Sequence, residues 1–143
     1  MTTVRYSLPP LDQAWLVASL KDMFPAHKTS HEMVTLVHDL VHAYMIWWML
    51  MVTFPKRRIV GTGPLWQVRQ IHATDLERFF ADCFDYLGRI PTKKELWGGP
   101  LDFRGTHDTA RSLKEVLDFP DIVWEPILQT ATAQRVESII RLH

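Results

Sequence analysis

TSHEMVTLVHDLVHAYMIWWMLMVTF, residues 29–54, is the longest patterned segment of the chain and predicts one long helix around which the rest packs. Thr29 followed three residues later by Glu32 has the form of a capping box, in which the hydroxyl accepts an early backbone N–H and the carboxylate reaches back to the cap's own N–H. Pro55 ends the helix, because proline lacks the N–H and crowds the preceding turn. At about 100° per residue, His31, His38 and His42 fall within about 20° of one line, with Thr35 beside them and Met45 and Met49 extending it. Val34, Val37, Leu40, Val41 and Tyr44 form the adjoining apolar face. The segment therefore predicts a core helix carrying one titratable stripe.

Helical spacing recurs on both sides of it. After the stiff entry Leu8-Pro9-Pro10, the stretch Leu11 to Phe24 places Leu16, Leu20, Met23 and Phe24 on one helix face. From Pro64 to Leu87, apolar residues return at three and four (Leu65, Val68, Ile71 or His72, Leu76, Phe79, Phe80, Cys83, Leu87), with Gly88 as the C-cap. Ile90-Pro91-Thr92 opens a single turn through Leu96-Trp97 that stops at Gly98-Gly99-Pro100, and Leu101 to Thr106 reads as loop. A fourth helix is expected from Asp108 or Thr109 through Leu113, Val116, Leu117 and Phe119 to Pro120, and a last one from Trp124 through Ile140. With no internal repeat and no convincing strand pair, the expectation is all-α: one domain over residues 1–143, a compact bundle of about five helices around residues 30–54.

The 143 residues are enough to bury roughly two thirds of the unfolded chain's surface. Six Trp, seven Phe and six Met supply large, adaptable core side chains. Sixteen basic and sixteen acidic residues cancel, which removes the general attraction to nucleic acid. The fully apolar run Ala43 to Val52 spans only about 15 Å as a helix, against a hydrocarbon core of about 30 Å, and predicts no membrane span. Cys83 is the only cysteine, so neither an intrachain disulfide nor a cysteine-based zinc site is available. With no secretory leader pattern at the N-terminus, a cytoplasmic location is expected.

The chemistry-bearing residues support two readings. His38 and His42 stand four apart, the spacing at which two imidazoles on a helix can share a metal ion, and His72-x-x-Asp75 on the next long helix could face them. The zincin arrangement is missing, since Asp39 rather than Glu follows the first histidine and points about 100° away. Gly61-Thr62-Gly63 fails as a dinucleotide loop because Trp66 occupies the position of the third glycine. Lys56-Arg57-Arg58 reads as a solvated helix end that complements the negative pole of the macrodipole, in preference to a phosphate site. Cys83, among Phe79, Phe80, Phe84 and Leu87, reads as a buried, protonated thiol.

The first reading is a small helical binding module, with Tyr44, Trp47, Trp48, Trp66 and Phe79 lining a pocket or interface for an apolar small molecule or a partner protein. Trp47 and Trp48 are adjacent and point about 100° apart, so one of them is expected to meet a ligand, a partner or another helix, and a homodimer is the simplest association. The second reading is an enzyme in which His38, His42 and His72, oriented by Asp75, perform acid–base chemistry on an apolar substrate, with a metal held by the three histidines as its assisted form. No other cofactor is implied.

Val60 and Thr62, His72, Phe79, Asp82-Cys83 and Leu87-Gly88-Arg89 fall, without gaps, on a spaced pattern of Val and Thr, His, Tyr, Asp-Cys and Leu-Gly-Arg. This block resembles a segment of the glycine-rich-domain-containing-protein-like family. Phe79 stands in place of the family's Tyr, and Arg69-Gln70 in place of its Trp-His pair. The resemblance implies a helical fold with His72 near the interior, and it implies no activity.

Overall fold

The computed structural model describes residues 4–5, 8–23, 31–61, 63–96, 102–118 and 122–123. The expected last helix at 124–140, the cap at Thr29 and the break at Gly98-Gly99-Pro100 lie outside the described residues. Five helices form an all-helical bundle: α1 (Gln13–Asp22), α2 (His31–Thr53), α3 (Gly63–His72), α4 (Leu76–Asp82) and α6 (Phe103–Asp118), with α5 (Lys93–Leu96) as a single turn between α4 and α6. A two-residue parallel pair, β1 (Val4–Arg5) with β2 (Ile122–Val123), sits outside the helical pattern.

α2 is the axis of the bundle, packed by α1, α3, α6 and the turn that follows α4. Every residue from Ala43 to Leu50 is buried, so this half of the helix has neighbours all round. By length and composition α2 could cross a membrane, but 61% of its most apolar window is buried inside the chain's own fold. It serves here as a core helix. Its N-terminal half is less enclosed, with His31, Leu36 and His38 in solvent.

α1 is capped by Asp12, whose carboxylate accepts the Trp15 N–H at 3.1 Å, and it buries Leu16, Val17 and Leu20. Met23, expected on that face, is half exposed because the helix has already ended there. The single long helix expected from Pro64 to Leu87 is instead broken at Ala73-Thr74-Asp75. Thr74 turns back through its hydroxyl to the Ile71 carbonyl at 2.6 Å, and Asp75 starts α4 afresh by accepting the Arg78 N–H at 3.2 Å. α4 runs into a π-helical turn, Cys83–Leu87, in which the Gly88 N–H bonds back five residues to Cys83. Gly88 closes it as expected, at φ 76°, the left-handed conformation that costs glycine little.

α6 begins at Phe103, five residues before the expected start, because Asp102 caps it. Its carboxylate accepts the Gly105 N–H at 2.8 Å. Thr109, Ser112, Leu113 and Val116 then face the core. This helix also grips the connector after α2. Arg57 forms a two-pronged pair with Glu115 (2.8 and 3.2 Å), the Arg58 N–H donates to Asp108, and the Val60 N–H donates to the Thr109 hydroxyl at 2.9 Å. Arg57 and Arg58 are therefore half-buried anchors, and the expected solvated helix end is confined to Lys56.

The connector also explains Gly61. A Cβ there would lie 2.8 Å from Trp47 Cζ2, and the Gly61 N–H is tied to the Leu96 carbonyl at 2.9 Å, so neither side yields easily. Gly61→Ala is expected to lower stability by about 1–3 kcal/mol through overpacking, read as a lower urea midpoint with an unchanged slope. An unchanged midpoint would mean that the indole can move aside.

Candidate functional site

The break between α3 and α4 builds a buried polar row. In a straight helix, residues 72 and 82 would be about 15 Å apart along the axis. The corner at Asp75 folds α4 back, and His72 Nε2 comes to 2.7 Å from Asp82 Oδ2. On the other side of the ring, His72 Nδ1 lies 2.8 Å from the Tyr44 hydroxyl of α2. The Asp82 carboxylate can only accept, so the Nε2–H donates to it; with burial keeping the ring neutral, Nδ1 carries no proton and accepts the Tyr44 O–H. Burial lowers the His72 pKa, with Asp82 opposing the shift, and burial raises the Tyr44 pKa well above its usual range.

Aromatic rings close around this imidazole. Trp15, Tyr44, Trp48 and Phe79 stand with ring centroids 5.1–6.4 Å from it, mostly edge to face. Arg69 lies over the rings of Trp66 and Phe79 at 4.6 and 5.1 Å. The row Tyr44–His72–Asp82 has the donor order of a proton relay, but Tyr44 is 0% and His72 1% exposed, so a substrate has no route to the ring. Its present work is to clamp α2, α3 and α4 together.

The expected histidine cluster does not form. His38 is exposed beside α1, His42 is half-buried with its Nδ1 lacking a hydrogen-bond partner, and His72 is committed to Tyr44 and Asp82. Asp75 orients no histidine; it caps α4 and pairs with Arg78 at 3.4 Å. Among the described residues no group of three or more His, Cys, Asp or Glu is placed to hold a metal ion. α2 passes from solvent into the core along its length, so His31 and His38 are exposed while His42 is half-buried, and the three do not share one environment.

Of the residues expected to line a binding site, Tyr44, Trp47, Trp48 and Phe79 are buried at 3% exposure or less, and Trp66 is partly covered. Trp47 and Trp48 both meet the chain's own elements, which is possible because α2 is enclosed all round. Cys83 is fully buried and its thiol is pushed up to about 11, which keeps it protonated and inert.

The exposed apolar surface lies elsewhere. Leu76, Phe80 and Phe84 follow at four-residue intervals along α4 and its π-helical turn, and they are 59%, 43% and 57% exposed. One residue further on at each step stand Glu77, Ala81 and Asp85, all exposed, so the stripe has an acidic flank. Phe80 is in edge contact with Phe79 at 6.1 Å, and Phe79 with His72, so the stripe rests directly on the clamp. A sequence signal for it existed: Phe79-Phe80 and Cys83-Phe84 are adjacent apolar pairs whose side chains point about 100° apart, so on a helix covered from one side only one member of each pair is enclosed.

Comparison with known proteins finds no family model, curated protein or solved structure that matches this chain.

Proposed function

We propose that this chain is a cytosolic protein-interaction module that receives an amphipathic helix of a partner along α4. The observation that carries the reading is the exposed stripe Leu76–Phe80–Phe84, two aromatics and a leucine in one line on a helix anchored to a rigid core. Isolated exposed apolar residues are ordinary, whereas an aligned set with aromatic anchors on one helix is the form of a seam against a second helix. Glu77 and Asp85 beside it select the chemistry of the partner: an apolar face bordered by Lys or Arg. A protein partner fits better than an apolar small molecule, since the aromatics first expected in a pocket fill the core.

We also propose kinship of residues 60–90 with the glycine-rich-domain-containing-protein-like family. Its support is the spacing of His72, Asp82-Cys83 and Leu87-Gly88-Arg89, and it carries no activity to this chain.

The test is a fluorescently labelled synthetic helix with a leucine stripe flanked by lysines, titrated with the protein and read by anisotropy. Saturable binding is expected, with a loss of about thirtyfold or more in Phe80→Glu and Phe84→Glu, the scale of removing an aromatic hot spot. Both positions are exposed, so the melting temperature should stay within a few degrees. Equal binding by the variants, or by a peptide with the same composition in scrambled order, would overturn the proposal.

A further inference from the structure

The chain is neutral overall, yet one region of the fold gathers cations around a recess. A cavity of about 310 Å³ has Lys56, Arg57, Arg58, Arg89 and Arg104 on its wall and a single carboxylate, Glu95. The five come from three parts of the sequence: the connector after α2, the turn after Gly88 and the first turn of α6. Only the fold brings them together, because no run of the sequence longer than Lys56-Arg57-Arg58 shows the clustering. Met51, Ile59 and Leu96 supply apolar wall between them.

Two of the arginines are held in place from behind, Arg57 by Glu115 and Arg58 Nε by Asp102 at 2.5 Å, while Arg89 pairs with Glu95 on the wall itself. Asp102 is itself fixed by the Gly105 N–H, and although burial acts to raise its pKa, the Gly105 and Arg58 hydrogen bonds hold it below the usual carboxylate range. Glu115, Asp102 and Asp108 are not on the cavity wall, so Arg57 and Arg58 line the recess while carboxylates outside it restrain their guanidinium groups. Guanidinium groups restrained in this way lose little entropy on meeting an anion, and their planar forks suit phosphate oxygens. Lys56 and Arg104 remain at the exposed rim, Arg104 reaching Asp108 only at 3.9 Å.

We propose that this recess binds a phosphate monoester, its dianionic head on the Lys56, Arg57 and Arg104 side and a small apolar group against Met51, Ile59 and Leu96. Several cations converging from different chain segments match the three terminal oxygens and double charge of a phosphate better than the single fork of a carboxylate. The apolar wall favours an organic ester over inorganic phosphate. The same head group could arrive on a free metabolite or on a lipid, and the recess is independent of the α4 stripe.

Phenyl phosphate is the probe, titrated into the full chain by calorimetry at low ionic strength, with benzoate and phenol as comparators. The expected result is one-site binding of phenyl phosphate, at least tenfold tighter than benzoate, with no binding of phenol. In the Lys56→Gln/Arg104→Gln variant the affinity should fall at least tenfold while the melting temperature is kept, since neither side chain holds a close ion pair. Unchanged affinity in that variant, or equal binding of benzoate, would overturn the site. In a second arm the protein is sedimented with phosphatidylcholine vesicles containing phosphatidic acid. Sedimentation that phenyl phosphate competes away would assign the same chemistry to a lipid head group, no sedimentation would assign it to a free ester, and sedimentation that phenyl phosphate leaves unchanged would count against the recess.

Discussion

Trp47→Ala should remove about 3–5 kcal/mol of stability, the range for truncating a fully buried large aromatic side chain. The side chain is 0% exposed, lies over the backbone of Gly61 on one side and packs against Tyr44 at 5.9 Å on the other. Its removal leaves a cavity where α2 meets the connector at Gly61, whose N–H is tied to Leu96 of α5. Its Nε1 is buried with no hydrogen-bond partner, so the indole contributes through packing alone and has already absorbed a polar penalty. A domain of ordinary stability, about 5–15 kcal/mol, would lose a large fraction of it. Chemical denaturation of this variant beside Phe103→Ala makes the comparison, because Phe103 is 74% exposed and its truncation should stay within about 0.5 kcal/mol. Similar losses for the two would mean that the core is not centred on α2.

That centre was readable from residues 29–54 because its apolar residues recur with the helical period and Pro55 marks the end. What could not be read there is how far each part of the helix is surrounded. A helical wheel puts His31, His38 and His42 near one line, but whether a position on that line meets water or another helix depends on elements distant in sequence. The break at Ala73-Thr74-Asp75 was hidden for a different reason: apolar spacing from Leu65 to Leu87 continues through it, and the capping signal of Asp75 competed with an uninterrupted period. In α6 the opposite happened. Asp102 was a cap in plain view, but Gly105 in the first turn weakened the pattern until Thr109. Gly105 stays because a Cβ there would come within 2.6–2.7 Å of Val60 and Asp102. The cationic recess and the pairing of His72 with Asp82 are products of those two misread junctions, so neither could follow from spacing alone.

His72→Ala should cost about 3 kcal/mol or more, and its pH dependence distinguishes a clamp from an ordinary core residue. Truncation strands the Tyr44 hydroxyl, fully buried, at about 1–3 kcal/mol, and adds the cavity left by the ring among Trp15, Trp48 and Phe79. Asp82 loses less, because its side chain is 22% exposed and water can replace the imidazole. In a double-mutant cycle, His72→Ala combined with Tyr44→Phe should cost less than the sum of the two, since each alone removes the same hydrogen bond. Burial sets the pH response, holding the His72 pKa in the folded chain below its ordinary value of 6.5. The unfolded chain therefore takes up the proton first, and the stability contributed by the neutral ring is complete above pH 6.5 and is lost as pH falls through that value and through the lower folded one. His42, also lowered by burial, adds a loss of the same sign. Urea midpoints measured from pH 7.5 down to 5 should fall in the native chain and fall less steeply in the His72→Gln variant, where no proton can be taken up at that position. An identical slope in both would show that His72 does not couple protonation to the packing of α2, α3 and α4, and the Tyr44–His72–Asp82 row would then be an incidental contact.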